Sequence, residues 1–488
     1  MFGLMLSLFL ANLDQTIVAT CLSTIARDLQ GWSLLPWVIS AYLVTSTATT
    51  PIYGRLSDNY GRRRVLLAAI ALFVLASVFC ALATTMPLLI AARVLQGIGG
   101  GGLRSIAQVI IADIIPPRHR GRYQGYMSTT FLISTSLGPV LGGFFAEHLS
   151  WTFAFWINLP LGAVAYAVID RQLRKLKIPT HRHRIDWLGA ALVLAAAVPI
   201  MIGLSRVEQA GGWLNAAVIV PIAIGVAATA SLIALELRVE EPMLPMRLFA
   251  NRVFTVGNIA LAAPSMVMTA LIIILPLYYQ VVRQWSADDA GLQLIALTGG
   301  MAVGSFVIGS LVSRMGRTRI FPIVGCVVSA ALCLFMARNG LGDSPLVDAV
   351  CIFSLGCAIG CQINPLLVMV QNGLEIRDIG AGVAGMTFFR ALAGAFGVAE
   401  ALTFLIGRLA AGAATVPGAE RLGPDPGVGL LRLDSAHPFD AAQAAAFATV
   451  REQAFASVFV LAAALSLVTL VAVLAIRERP LRAVVTEP

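Results

Sequence analysis

Long apolar runs, separated by short polar connections, recur along the whole chain. They fall at about 2–22, 35–56, 64–83, 87–112, 122–144, 151–170 and 187–205 in the first part. They continue at about 214–235, 253–279, 290–312, 320–337, 345–371, 382–407 and 453–476. Each is close to the roughly 20 residues that carry a helix across about 30 Å of hydrocarbon. Lipid gives backbone N–H and C=O groups no partners, so helices are the expected form. The ten-residue alternation of a membrane β-barrel does not occur. The pattern therefore predicts fourteen membrane-spanning helices. The longest polar connection, 409–452, is rich in Ala, Gly and Pro and is expected to be an exposed loop. Within it, 436–449 is a candidate short surface helix.

Composition sharpens this picture. Of 488 residues, 58% are hydrophobic and only 12% charged. A soluble domain is usually about a quarter charged. Mean hydropathy is +0.85. A soluble enzyme, a disordered chain and a nucleic-acid-binding domain are all excluded, in spite of the net charge of +9. The placement of that charge matters more. Most of the 34 Lys and Arg fall in one set of alternate connections and the C-terminal tail. Examples are Arg62–Arg64, Arg118, Arg120 and Arg314. Those connections are expected on the cytoplasmic side. An even number of spans places both termini there, in a plasma (inner) membrane. The first span is not expected to be a signal peptide, since no basic region precedes it and Asp14 interrupts it. The seven cysteines lack metal-ligand spacing and read as small packing residues.

An internal repeat divides the chain. Gly54-Arg55-Leu56-Ser57-Asp58-Asn59-Tyr60-Gly61-Arg62 is echoed by Gly309-Ser310-Leu311-Val312-Ser313-Arg314-Met315-Gly316-Arg317. Gly125 and Gly385 give a second echo at nearly the same offset. Two six-span halves are expected, 1–170 and 253–476, the second carrying the 409–452 loop. Between them lie a basic cytoplasmic loop at 171–186, two inserted spans in 187–235 and a cytoplasmic loop at 236–252. The tail is 477–488. Repeats of this kind are typical of secondary transporters, with the substrate site between halves near mid-membrane.

The Gly54–Arg64 segment resembles the loop 2–3 signature of the major facilitator superfamily, Gly-x-x-x-Asp-x-x-Gly-Arg-Arg-Arg. Four further segments look like motifs of its fourteen-span drug:proton antiporter family. They begin with Leu13-Asp14-Gln15-Thr16 in span 1 and Arg93-Val94-Leu95-Gln96-Gly97 in span 4. The others are Gly138-Pro139-Val140-Leu141-Gly142-Gly143 in span 5 and Trp151 to Gly162 at the entry to span 6. Departures are Ser134, where the span 5 motif often begins with glycine, Ser313 in place of an acidic residue, and the extra cation Arg104. The resemblance implies an all-α membrane protein with the major facilitator fold. Two pseudo-symmetric six-helix bundles and two inserted helices make up its fourteen transmembrane helices. It further implies that Asp58 meets span 13 and that Asp113 pairs with Arg62, together latching the cytoplasmic side. Gly54, Gly61, Gly138, Pro139, Gly142 and Gly143 complete the gating set, the last four at an interface between halves.

Ionisable side chains inside spans cost about 2.5–3.5 kcal/mol each on insertion scales and invite a functional reading. Asp14 and Arg93 lie at similar depth, so an ion pair is feasible. It serves either as a proton switch or as a purely structural contact. Arg104 follows Arg93 by eleven residues and shares its helix face. Glu400 stands alone in span 13 and either carries a proton or bonds a neighbouring helix. Arg390, near the start of that span, is expected to anchor at the cytoplasmic side. Arg104 is a candidate cavity or substrate residue, as are Asn258, Gln362 and Asn364 with Tyr42, Phe131 and Phe388, plain packing being the alternative for these last six.

The expected function is a proton-coupled antiporter that exports amphipathic organic compounds by alternating access, with Asp14, Arg93 and Glu400 in proton coupling. An uptake carrier, or a metabolite or siderophore exporter on the same scaffold, is the alternative. No enzyme, metal or cofactor motif is present. Expected partners are protons, a small amphipathic substrate and membrane lipid, with no nucleic acid. A monomer is expected, an accessory export partner remaining open.

Overall fold

A computed structural model describes residues 1–30, 34–174, 187–207, 213–239, 246–285, 287–341, 344–375, 378–422, 426–431, 439–476, 478 and 481. The basic patch expected around His181 and His183 lies outside the described residues.

The described residues form helices in the order α1 (Phe2–Asp28), α2 (Leu35–Tyr60), α3 (Arg62–Ala81), α4 (Met86–Ile114), α5 (Pro117–His148), α6 (Phe153–Trp156) and α7 (Asn158–Leu173). A pair follows, α8 (Trp187–Arg206) and α9 (Ala216–Glu236). After the short α10 (Arg247–Ala250) come α11 (Arg252–Val281), α12 (Ala287–Met315), α13 (Ile320–Asn339), α14 (Pro345–Asn372) and α15 (Ile379–Ala413). The chain ends with α16 (Pro426–Leu431) and α17 (Ala441–Ala475).

Packing follows one scheme twice. In the first part α1 lies on α5, α2 on α4, α3 on α4, and α7 against α1 and α3. In the second, α11 lies on α15, α12 on α14, α13 on α14, and α17 against α11 and α13. The two sets meet crosswise, α5 against α12 and α2 against α15. The pair α8–α9 packs on itself, and α8 rests along α2 and α15.

Among the described residues, twelve helices are long and apolar enough to cross a membrane. The protein is thus an integral multi-pass membrane protein. Two expected spans fall outside that set. α8 is a helix of 20 residues, apolar over Leu188–Leu204. α2 has 26 residues but is laden with hydroxyls. Thr45, Thr49 and Thr50 return their hydroxyl protons to the carbonyls of Ala41, Thr45 and Ser46, at 2.7, 2.8 and 2.9 Å. This back-bonding makes polar side chains tolerable in a helix away from water. Large apolar side chains such as Phe79, Val140 and Val471 are exposed on the outer surface, as a lipid-facing protein requires.

The expected loop 409–452 is largely helix. α15 continues to Ala413, a 3-10 turn covers Ala419–Leu422, and α17 already begins at Ala441. The reason lies at Asp440. Its carboxylate accepts from the Gln443 N–H at 2.7 Å while the Gln443 side chain accepts from the Asp440 N–H. This reciprocal cap starts the helix well before the apolar run, so 441–449 is the first part of α17 and not a separate surface helix.

Candidate functional site

Two polar constructions stand out against the apolar interior. The first is a network inside the α1–α7 set. Asp14 on α1 is fully buried, and Arg93 on α4 nearly so. Arg93 Nη1 donates to Asp14 Oδ2 at 2.6 Å. The other carboxylate oxygen accepts from Gln96 Nε2 at 2.8 Å and from Asn158 Nδ2 at 2.7 Å. Arg93 also donates to Gln96 Oε1 at 2.6 Å and, through Nε, to the Val38 carbonyl at 3.1 Å. Ser77 Oγ accepts from Gln96 at 2.7 Å and from Asn158 at 3.2 Å. The guanidinium lies over the Tyr42 ring, 4.4 Å from its centroid. Buried charges are tolerable when paired and hydrogen-bonded, and both conditions hold here.

Gln96, Asn158 and Ser77 do not stand out in the sequence. Gln96 follows Arg93 by one turn, and Asn158 sits inside the span 6 motif. Tyr42 is a correction. It is enclosed by this network, its hydroxyl donating to Ala11 O at 3.4 Å, and does not line a cavity between the two sets.

Close packing of α4 holds the network. A Cβ at Gly97 or Gly101 would strike Thr45 or Thr49 and the α2 backbone, and one at Gly99 would strike the α3 backbone at Phe73 and Ala69. α4 therefore lies between α2 and α3 at a distance only glycine permits.

The second construction closes one face, the face at which α2 turns into α3. Arg62 reaches Asp58 at 2.5 Å and Asp113 at 2.8 Å. It also donates to Ser57 Oγ at 2.5 Å and to the Gly54 carbonyl at 3.4 Å. Gly61 makes the turn with φ of 88°, a conformation suited to glycine. The carboxylate of Asp58 lies against Gly380 in the first turn of α15, and a Cβ at Gly54 would meet Ala384 and the Gly380 carbonyl. On the same face Gly121 of α5 meets the Gly309 backbone of α12. His119 Nδ1 and Ser313 Oγ are 3.0 Å apart there. The two six-helix sets therefore touch directly at this face.

The other expected residues divide. Asn364 reaches across from α14 to Ser128 Oγ on α5 at 3.3 Å. Gln362 turns instead into its own set, donating to the Gly325 carbonyl of α13 at 3.1 Å. Asn258 donates back to Phe254 O at 2.8 Å. Phe388 packs beside Phe389, ring centroids 5.3 Å apart, and Phe131 is half-buried on α5. Glu400 is half-buried, with no hydrogen bond or ion pair among the described residues.

Gly138 and Gly142 lie against Thr16 and Thr20 of α1. They seat α5 on its own neighbour and are not at the interface between sets. Gly143 faces open space, and a methyl added there would find nothing within 4 Å. Pro139 lies within α5. Arg390 is not near a helix end. It stands eleven residues into α15, at about 16 Å along the axis. α15 begins at Ile379, before the apolar run, and this sets Arg390 deeper than its place in that run implies.

Comparison with known proteins agrees with this architecture. The profile of the Major Facilitator Superfamily matches residues 4–398. An uncharacterized MFS-type transporter of Mycobacterium tuberculosis is 32% identical over 484 residues, covering 98% of this chain and 69% of the relative. The multidrug transporter protein MdtP of Bacillus subtilis is 32% identical over 397 residues, covering 81% of this chain and 73% of the relative. Among solved structures, the human organic anion transporter MFSD10 aligns with a TM-score of 0.61 at 18% identity, covering 95% of this chain and 98% of that one.

Proposed function

Because the chain belongs to the major facilitator superfamily, and is a secondary transporter and not an enzyme, we propose that it exports amphipathic organic compounds in exchange for protons. The observation that carries this reading is the likeness, over 81% of the chain, to a Bacillus subtilis protein named as a multidrug transporter. Fungal relatives named as efflux pumps support the same direction.

In this reading α2 and α8 join the twelve candidate helices to give fourteen spans of the drug:proton antiporter type. The arginine-rich face is cytoplasmic, with both termini on it, in the plasma membrane. The halves 1–170 and 253–476 rock about a central chamber. Contact of α2 with α15 and of α5 with α12 at the Arg62 face fits a state closed to the cytoplasm. The Arg62–Asp58–Asp113 cluster is the latch of that state.

Proton coupling is assigned to two carboxyls with different access. Glu400 is half-buried. Asp14 is enclosed and accepts three donors, so it takes a proton only when movement of α1 against α4 opens the network. Arg93 then holds the ionised state between cycles.

The test uses a strain stripped of its own exporters. Expression of the chain raises resistance to members of a panel of anionic, neutral and cationic amphiphiles. In everted vesicles the same compounds enter the lumen when it is acidified, and an uncoupler abolishes this. Accumulation driven by an inward proton gradient in right-side-out vesicles overturns export in favour of uptake.

A further inference from the structure

The intramembrane charges do not balance. Asp14 is already satisfied by Arg93, Gln96 and Asn158. Among the described residues two cations are left over. Arg104 on α4 stands ten residues from the end of its helix, about 15 Å in from the Arg62 face. Arg390 on α15 stands at a matching depth from the same face, in the other half. The helices that carry them, α4 and α15, pack against one another. Among the described residues Arg390 has no acceptor. Glu400 lies ten residues further along α15, about 15 Å away along the axis.

The Gln15 amide beside Arg104 brings one acceptor and one further donor. Arg104 Nη2 donates to Gln15 Oε1 at 2.7 Å and faces Ala11 O at 3.5 Å. This uses the carbonyl end of the Gln15 amide. Gln15 Nε2 and Arg104 Nε are both buried and have no partner among the described residues. Two half-buried like charges and two orphaned N–H donors at mid-depth are costly unless something negative meets them. A planar guanidinium with free N–H groups suits an oxyanion.

We propose that Arg104 and Gln15 of one half and Arg390 of the other form the polar end of the substrate site, and that it selects amphiphiles carrying a carboxylate, sulfonate or phosphate. The anion bridges the halves, and the apolar body extends along the chamber. The inference rests on the proposed central transport site and names its substrate class.

Equilibrium binding tests it without regard to direction or proton coupling. The full chain in nanodiscs of zwitterionic lipid is titrated with radiolabelled taurocholate, with naphthalene sulfonate and tetraphenylphosphonium as competitors. Saturable taurocholate binding is expected, displaced by the sulfonate and not by the cation. Arg390→Gln and Arg104→Gln each weaken it about tenfold or more, as loss of a charged hydrogen bond predicts. Arg390→Lys retains most of the affinity. Among the described residues Arg390 has no partner to lose, so Arg390→Gln decides the matter if Arg104→Gln fails to fold. Absence of saturable binding of both anions, or unchanged affinity in Arg390→Gln, overturns the proposal. Dye export with no anion binding removes this inference and leaves the export reading intact. Anion binding with uptake in place of export does the reverse.

Discussion

Arg93 Nη1 stands 2.6 Å from Asp14 Oδ2, with both side chains shut away from solvent. The pair joins α1 to α4 within one half and is further hydrogen-bonded by Gln96, Asn158 and the Val38 carbonyl.

Removing one partner strands the other. Asp14→Asn is expected to destabilise the purified protein by about 3–5 kcal/mol, the usual cost of a broken buried pair. Thermal unfolding in detergent measures it. The double variant Asp14→Asn with Arg93→Met is expected to recover part of the loss, because no uncompensated charge remains. A single variant as stable as the parent contradicts the structural share of this contact.

Two glycines should respond differently to the same methyl group. At Gly99 a Cβ lies 2.7 Å from the Phe73 nitrogen and 2.9 Å from the Ala69 carbonyl. These are backbone atoms, so α3 and α4 must part, and Gly99→Ala is expected to cost about 1–3 kcal/mol. Gly143→Ala meets nothing and should stay within about 0.5 kcal/mol of the parent. Melting temperatures of the two variants provide the comparison.

Arg62 holds two carboxylates at the closed face. Arg62→Gln leaves Asp58 and Asp113 to repel one another and weakens the hold of α2 on α15. The face should then open more often. A cysteine placed at Ser128, beneath the Asn364 contact, should react several-fold faster with a water-soluble thiol reagent in the Arg62→Gln background. Equal labelling rates speak against the latch.

The His119–Ser313 contact spans the two halves at 3.0 Å. With the seven native cysteines replaced, His119→Cys with Ser313→Cys is expected to cross-link on oxidation. Substrate movement should stop and return on reduction. Transport that continues in the oxidised protein rules out separation of these helix ends during the cycle.

Opposite charges at similar depth make Asp14 and Arg93 legible as a pair in the sequence. The amide and hydroxyl partners are not, because Gln96, Asn158 and Ser77 cost too little in a span to stand out. Their only signal is position, one turn from Arg93 or inside a motif. Gly138 and Gly142 share a helix face by spacing alone, but spacing does not say which helix that face meets. It is α1 of the same half. Hydropathy ends span 13 at Gly407, although the Ala-rich stretch after it continues the helix to Ala413. The start of α17 is written in Asp440 and Gln443, a cap that an apolar count does not register.

The hydroxyl-rich character of α2 has a consequence during synthesis. A segment whose polarity is hidden largely by its own turns and by glycine-lined α4 is a poor candidate to leave the translocon alone. It would be retained there until α3 and α4 have emerged. Nascent chains stalled before Ile114 should therefore leave α2 extractable by alkali, and chains a few dozen residues longer should not.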